Sequence, residues 1–143
     1  YTFSPYKVIV SGFYKEPRFI PVGTMNGKPI ICDDTCYLLP QSNAYHASIV
    51  AAALNTTEAH TFVTSISFAD SKRPYTKSVL ARLDVQSLIR SLPSEILFRD
   101  VNALLVSYFP EISPLDSPTA LVPLCESLLE AEAEQPPGQM LMF

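Results

Sequence analysis

Positive charge in this chain is concentrated where proline stiffens the backbone. From Phe68 to Arg82 the sequence reads Phe-Ala-Asp-Ser-Lys-Arg-Pro-Tyr-Thr-Lys-Ser-Val-Leu-Ala-Arg, which gathers Lys72, Arg73, Lys77 and Arg82 around one proline, one tyrosine and one acid. Pro74 has a fixed φ and pushes Arg73 toward an extended conformation, so Lys72 and Arg73 are expected on a defined loop. Thr76 is placed to cap a short helix carrying Lys77 and Arg82. Such a segment suits contact with a polyanion; the same run also reads as an ordinary solvated loop.

Other chemistry-bearing residues combine less well. His46 and Ser48 form a His-x-Ser, but His60 is followed by Thr61-Phe62 and both histidines fall in helical context, so a two-histidine phosphoesterase is disfavoured and they are read as surface or capping residues. Asp33 and Asp34 are adjacent on an expected strand, where neighbouring side chains point to opposite faces, so they do not form a carboxylate pair. Cys32 and Cys36 lack a second Cys/His pair at zinc spacing, and Cys125 makes the count odd, so reduced, mostly buried thiols are expected without a metal. No Gly-rich phosphate loop, His/Glu zinc motif or nucleophile elbow is present, so the sequence lacks the parts of a self-sufficient enzyme.

The elements that must position these residues divide the chain. Lys7 to Tyr14 reads as a strand, Arg18 to Met25 as a second and Pro29 to Leu39 as the return, with Asn26-Gly27 as the hairpin signal. Ser42 or Asn43 caps a helix over Ala44 to Leu54, with Asn55 as a left-handed terminator. Thr56 or Thr57 starts a second helix to about Ile66, with Phe62 and Ile66 on one face. Asp84 caps a short helix ending before Pro93, and Leu97, Val101, Leu104, Leu105 and Tyr108 mark an amphipathic helix from Ser94 to Phe109. Pro110, Pro114, Pro118 and Pro123 punctuate the approach to a last helix, Thr119 to Glu134, with Leu121, Leu124, Leu128 and Leu129 on one side. The expected fold is α+β: a small antiparallel sheet from the N-terminal third packed with helices, then a helical, acidic C-terminal third. The expected division is a domain over 1–113 and a Pro-punctuated acidic helix and tail over 114–143.

The totals agree with one core. The chain has 143 residues, 48% of them hydrophobic, and no apolar run of membrane-spanning length. No secretory-type leader is visible, so a cytoplasmic location is the default, and the start at Tyr1 suggests a domain cut from a longer protein. The net charge of −4 conceals a split: residues 1–90 hold nine Lys/Arg against six acids, whereas residues 91–143 hold Arg99 against eight acids. The halves are expected to face different partners.

Phe3-Ser4-Pro5-Tyr6-Lys7-Val8 through Ser11-Gly12-Phe13-Tyr14-Lys15, then Gly27-Lys28-Pro29, Asp33-Asp34-Thr35-Cys36-Tyr37, Leu54-Asn55 and Asp70-Ser71-Lys72-Arg73-Pro74-Tyr75-Thr76-Lys77, form an ordered pattern over residues 2–90. It resembles the C-terminal target-recognition region, similar to the TaqI-type specificity domain, of bacterial N6-adenine DNA methyltransferases of restriction-modification systems. The family's cofactor motif and Asn-Pro-Pro-Tyr-type tetrad are missing; Ser4-Pro5-Tyr6 and Pro136-Pro137-Gly138 do not replace the tetrad. The resemblance therefore implies a module that holds double-stranded DNA for base flipping, with S-adenosylmethionine bound by a separate, upstream catalytic domain. It implies a DNA face of Lys7, Ser11, Tyr14, Lys15 and Arg18 from the sheet with Lys72, Arg73, Tyr75 and Lys77 from the loop. There cations contact phosphates, polar groups reach base edges and the tyrosines stack or hydrogen-bond. The acidic last third would face the catalytic domain or a second subunit. The alternative is a protein-interaction module docking through the acidic, Leu-rich last helix; a small hydrolase is a distant third.

Overall fold

The computed structural model describes residues 5–11, 18–30, 36–66 and 84–133. The fold is α+β, as expected. Strand β1 (Tyr6–Ser11) lies at the centre of a three-stranded antiparallel sheet between β2 (Ile20–Val22) and β5 (Cys36–Gln41). Val8 and Val10 point into the core, as the period of two requires. A two-stranded ribbon, β3 (Thr24–Met25) with β4 (Lys28–Pro29), turns through Asn26 and Gly27 at φ 53° and 75°. Both positive values mark the mirror-image turn that suits strand twist, and Asn-Gly is the pair that tolerates it.

The two long strands expected over 18–25 and 29–39 are each broken. Gly23 separates β2 from β3, where an added Cβ would meet Phe109 Cε1 at 3.0 Å and Tyr6 Cε1 at 3.4 Å. The Tyr6 and Phe109 rings stand 6.2 Å apart, tilted at 54°, and the bare backbone at Gly23 makes room for them. The return from β4 to β5 passes through 31–35, outside the described residues, as does Gly12, read as a bulge or close approach.

Helix α1 (Ala44–Leu54) is the axis of the molecule. All of it but half-buried Tyr45 is buried, because its composition is apolar all round and it packs against β1, β2 and β5 as well as helices from the rest of the chain. Ala47, Ala51, Ala52 and Ala53 supply small contact surfaces on a strong helix former. Asn43 Oδ1 accepts the His46 N–H at 2.9 Å and caps the start. Asn55 does not close the helix in the left-handed region: its φ is −87°.

Helix α2 (Thr57–Ile66) buries Ala59 and Val63, whereas Phe62 is 42% exposed. Helix α3 (Val85–Ser91) buries Val85 and Ile89 and is capped by Asp84, as expected. Helix α4 (Ser94–Tyr108) buries Leu97, Val101 and Leu105, four apart along one face. Tyr108, expected on that face, is largely exposed; the chain leaves helical geometry at Phe109, whose buried ring takes the place. After a 3-10 turn at Pro118–Ala120, helix α5 (Leu121–Ala133) adds Leu121 and Leu128 to the same buried cluster that holds α1. Pro123 sits in its first turn, where the missing N–H costs nothing.

Candidate nucleic-acid interface

The sheet end of the molecule carries the candidate cations. Within 5–11, 18–30 and 36–41 the charged residues are Lys7, Arg18 and Lys28, with no acid, whereas the described helical part carries Arg90 and Arg99 among nine acids. Arg99 Nε lies 3.3 Å from its neighbour Asp100, a solvated pair of little energetic weight. The split of sign along the sequence is thus a split between sheet and helices in the described residues.

Lys7 does not belong to an exposed face. It is fully buried, and its ammonium donates to the Ile30 carbonyl oxygen. β1 is the central strand, and although Ile9 on the face away from Val8 is only half-buried, the Lys7 side chain on that face is enclosed. The expectation that Lys7 contacts phosphate is corrected by that burial.

Arg18 is exposed at the entrance to β2, and Ser11 ends β1 opposite Cys36. The pairing of Lys7 with Val22 and of Ile9 with Ile20 runs the Ser11 end of β1 toward the Arg18 end of β2. Ser11 and Arg18 therefore share one end of the sheet, and Lys7 lies toward the other. Tyr14, Lys15, Lys72, Arg73, Tyr75 and Lys77, with the Thr76 cap and Arg82, lie outside the described residues. Lys28, which opens β4 beside the Asn26-Gly27 turn and is exposed, was missed as a candidate. The Asn-Gly signal two positions before it marks a solvent-facing tip and could have found it.

The backbone next to Arg18 is held from a distant part of the chain. The Phe19 N–H donates to Asn55 Oδ1 at 2.9 Å and Asn55 Nδ2 donates to the Phe19 carbonyl at 2.8 Å, so one carboxamide grips both backbone groups of one residue. Asn102 grips Leu115 in the same way, at 2.8 and 3.0 Å, where the chain turns from α4 toward α5. Tyr45 Oη donates to the Ser113 carbonyl at 2.9 Å in the same connection.

The histidine and serine of the His-x-Ser are not at the surface. His46 and Ser48 are buried on α1, and among the described residues His46 Nδ1 and Ser48 Oγ have no hydrogen-bond partner. Burial lowers the His46 pKa by penalising the imidazolium. Residues two apart on a helix do not face one another, so the pair forms no catalytic couple. His60 is half-buried on α2. Cys36, at the start of β5, and Cys125, on α5, are half-buried, and burial raises the Cys125 pKa. Among the described residues no group of three His, Cys, Asp or Glu could hold a metal ion, and no helix is long and apolar enough to cross a membrane.

Shallow grooves lie on the helical side, one of them beside Asn55 and Asp100. Another, of about 330 Å³ between α2 and α3, has Ala59, Phe62 and Leu88 in its lining together with Glu58 and Asp84. The Ser87 N–H and hydroxyl hold the Asp84 carboxyl below its usual pKa, so this groove is negative at neutral pH. A further one, of about 190 Å³, runs between α3 and α5 past Leu92, Leu97 and Cys125. The groove between α2 and α3 offers a phosphate backbone no positive lining, and in the one between α3 and α5 Arg90 is offset by Glu126.

No protein-family model matches the chain, and no solved structure matches it. Among curated proteins, the Type II methyltransferase M.NspV of Nostoc sp. (strain ATCC 29411 / PCC 7524) is 39% identical over 90 residues, covering 63% of this chain. The chain is related to a Type II methyltransferase. It spans only 19% of that protein's length, so the similarity is that of a part to a much larger whole.

Proposed function

We propose that this chain is the DNA-recognition module of an S-adenosylmethionine-dependent adenine-N6 DNA methyltransferase of a bacterial restriction-modification system, acting in the cytoplasm. On this reading it is a TaqI-like specificity domain that holds duplex DNA in register while a separate catalytic domain, which binds the cofactor, flips and methylates the base. The observation that carries the reading is the 39% identity to M.NspV, in a chain that has neither a cofactor motif nor a base-holding tetrad. The described residues of the sheet end, which carry cations and no acid, support it, since phosphate contacts supply most of the affinity of such modules. Ser11 and Arg18 are proposed for the DNA face together with Tyr14, Lys15, Lys72, Arg73, Tyr75 and Lys77; Lys7 is withdrawn from it.

The competing reading, docking of a protein through the Leu-rich last helix, meets the burial of Leu121 and Leu128 in this chain's own core. What α5 turns outward is Val122 with Glu126 and Glu130. An anisotropy titration with a mixed-sequence duplex at several salt concentrations tests the DNA reading. The expected result is a linear fall of log K with log[salt], at about 0.9 per phosphate neutralised. Absence of binding at low salt, or affinity indifferent to salt, would overturn it.

A further inference from the structure

We infer that Asn55 is a positioning residue for DNA binding: by gripping Phe19 it fixes the exposed Arg18 guanidinium where it meets a phosphate. The inference rests on the proposed DNA reading and deepens it by naming what holds one cation in place.

Three attachments converge on the residue next to Arg18. The Phe19 ring is 1% exposed and locked in the core, its N–H donates to Asn55 Oδ1, and its carbonyl accepts from Asn55 Nδ2. Asn55 is itself fixed, because its backbone N–H donates to the Ala51 carbonyl at 3.0 Å at the end of α1. Among the described residues β2 pairs with β1 and lies at the outside of the three-stranded sheet. A carboxamide has one acceptor and one donor side by side, so Asn55 serves Phe19 as a neighbouring strand's peptide group would. The chain entering β2 is thereby tied to the most buried helix of the molecule.

A mobile arginine loses conformational freedom when it meets a phosphate, and that loss subtracts from affinity. Anchoring the backbone of Phe19, the residue that follows the arginine, removes part of the loss before DNA arrives. Aspartate at 55 would keep the acceptor for the Phe19 N–H but offer no donor to its carbonyl, and alanine would offer neither.

Asn102 provides an internal control. Its carboxamide makes the same two bonds to Leu115, whose neighbours are Pro114 and Asp116, with no cation beside the grip. A purely structural role for Asn55 would make the two asparagines equivalent.

The experiment measures duplex affinity and its salt slope by anisotropy, and melting temperature, for the full chain, Arg18→Ala, Asn55→Ala, Asn55→Asp, Asn102→Ala and the double variant Arg18→Ala/Asn55→Ala. Arg18→Ala is expected to lower the salt slope by about one. Asn55→Ala is expected to weaken binding by about 3- to 10-fold, with Asn55→Asp in between, and to add less than about 2-fold once Arg18 is gone. Asn102→Ala is expected to lower the melting temperature comparably and to leave affinity unchanged. Equal loss of affinity from Asn55→Ala and Asn102→Ala, or an undiminished effect of Asn55→Ala in the Arg18→Ala background, would overturn the inference. So would binding that does not respond to Arg18→Ala, although the DNA reading would then stand on other residues. A chain that binds no duplex at all removes both. Should Asn55→Ala fail to fold, Asn55→Asp, which keeps one of the two bonds, decides by the same comparison.

Discussion

At the residue scale, Lys7 shows how a correct strand yields a wrong site. A lysine on a strand is ordinarily read as facing water, and the half-buried Ile9 on the same face fits that reading, yet Lys7 itself is fully buried and donates to the Ile30 carbonyl. Replacing a buried ammonium by an apolar side chain of similar length removes a desolvation cost, so Lys7→Met is expected to match or exceed the wild-type melting temperature and to leave the salt slope of DNA binding unchanged. A drop of the slope by about one would return Lys7 to the interface. His46 was likewise misread, because a helix apolar on every side offers no polar face on which a histidine could sit. Its lowered pKa means that the unfolded chain takes up the proton more readily than the folded one. Stability is therefore full above about pH 6.5 and falls as pH drops below that value toward the folded pKa. Urea midpoints at pH 7.5 and 5.5 are expected to show the loss, and His46→Gln is expected to shrink it.

At the element scale, local signals were read well where one residue type settles the matter. Asn43 and Asp84 as caps, the span of α1 and the Asn26-Gly27 turn all depend on hydrogen bonds or dihedrals within a few residues. What was not legible depends on distant partners. Asn55 does end α1, as expected, but nothing near it in sequence announces Phe19, 36 positions away, so its second role as a tether was not legible. Gly23 breaks a strand because of Phe109 and Tyr6, and Tyr108 loses its place in the core to Phe109 for the same reason. The two glycines separate these causes. At Gly27 a Cβ would touch nothing within 4 Å, so Gly27→Ala is expected to cost about 1–2 kcal/mol from the left-handed backbone alone. Chemical denaturation measures it, and an unchanged midpoint would show that the turn relaxes.

At the scale of the molecule, the separation of charge between sheet and helices among the described residues follows the order of the sequence, and the totals already pointed to one core. Leu121 and Leu128 lie beyond the proline-rich connector, in the segment read as an acidic helix and tail, and join the buried cluster that holds α1. Deleting residues 114–143 removes both leucines and the Leu115 backbone that Asn102 grips. The two leucines alone represent about 3–6 kcal/mol of burial, a large part of the stability of a small domain. The shortened chain is expected to lose its cooperative melt, and a sharp transition at the original temperature would contradict this. Single substitutions on the outer face of α5 are for that reason the cleaner test of protein docking.

The enclosure of α1 also sets an order of events during synthesis. Its wrapping comes from strands made before it and from helices made well after it, so a ribosome that has finished Leu54 has produced an oily rod with only part of its sheath. Until the stretch around Leu128 has emerged, that rod is the segment a holdase chaperone would be expected to grasp, and a pause in translation over the intervening codons would lengthen its exposure.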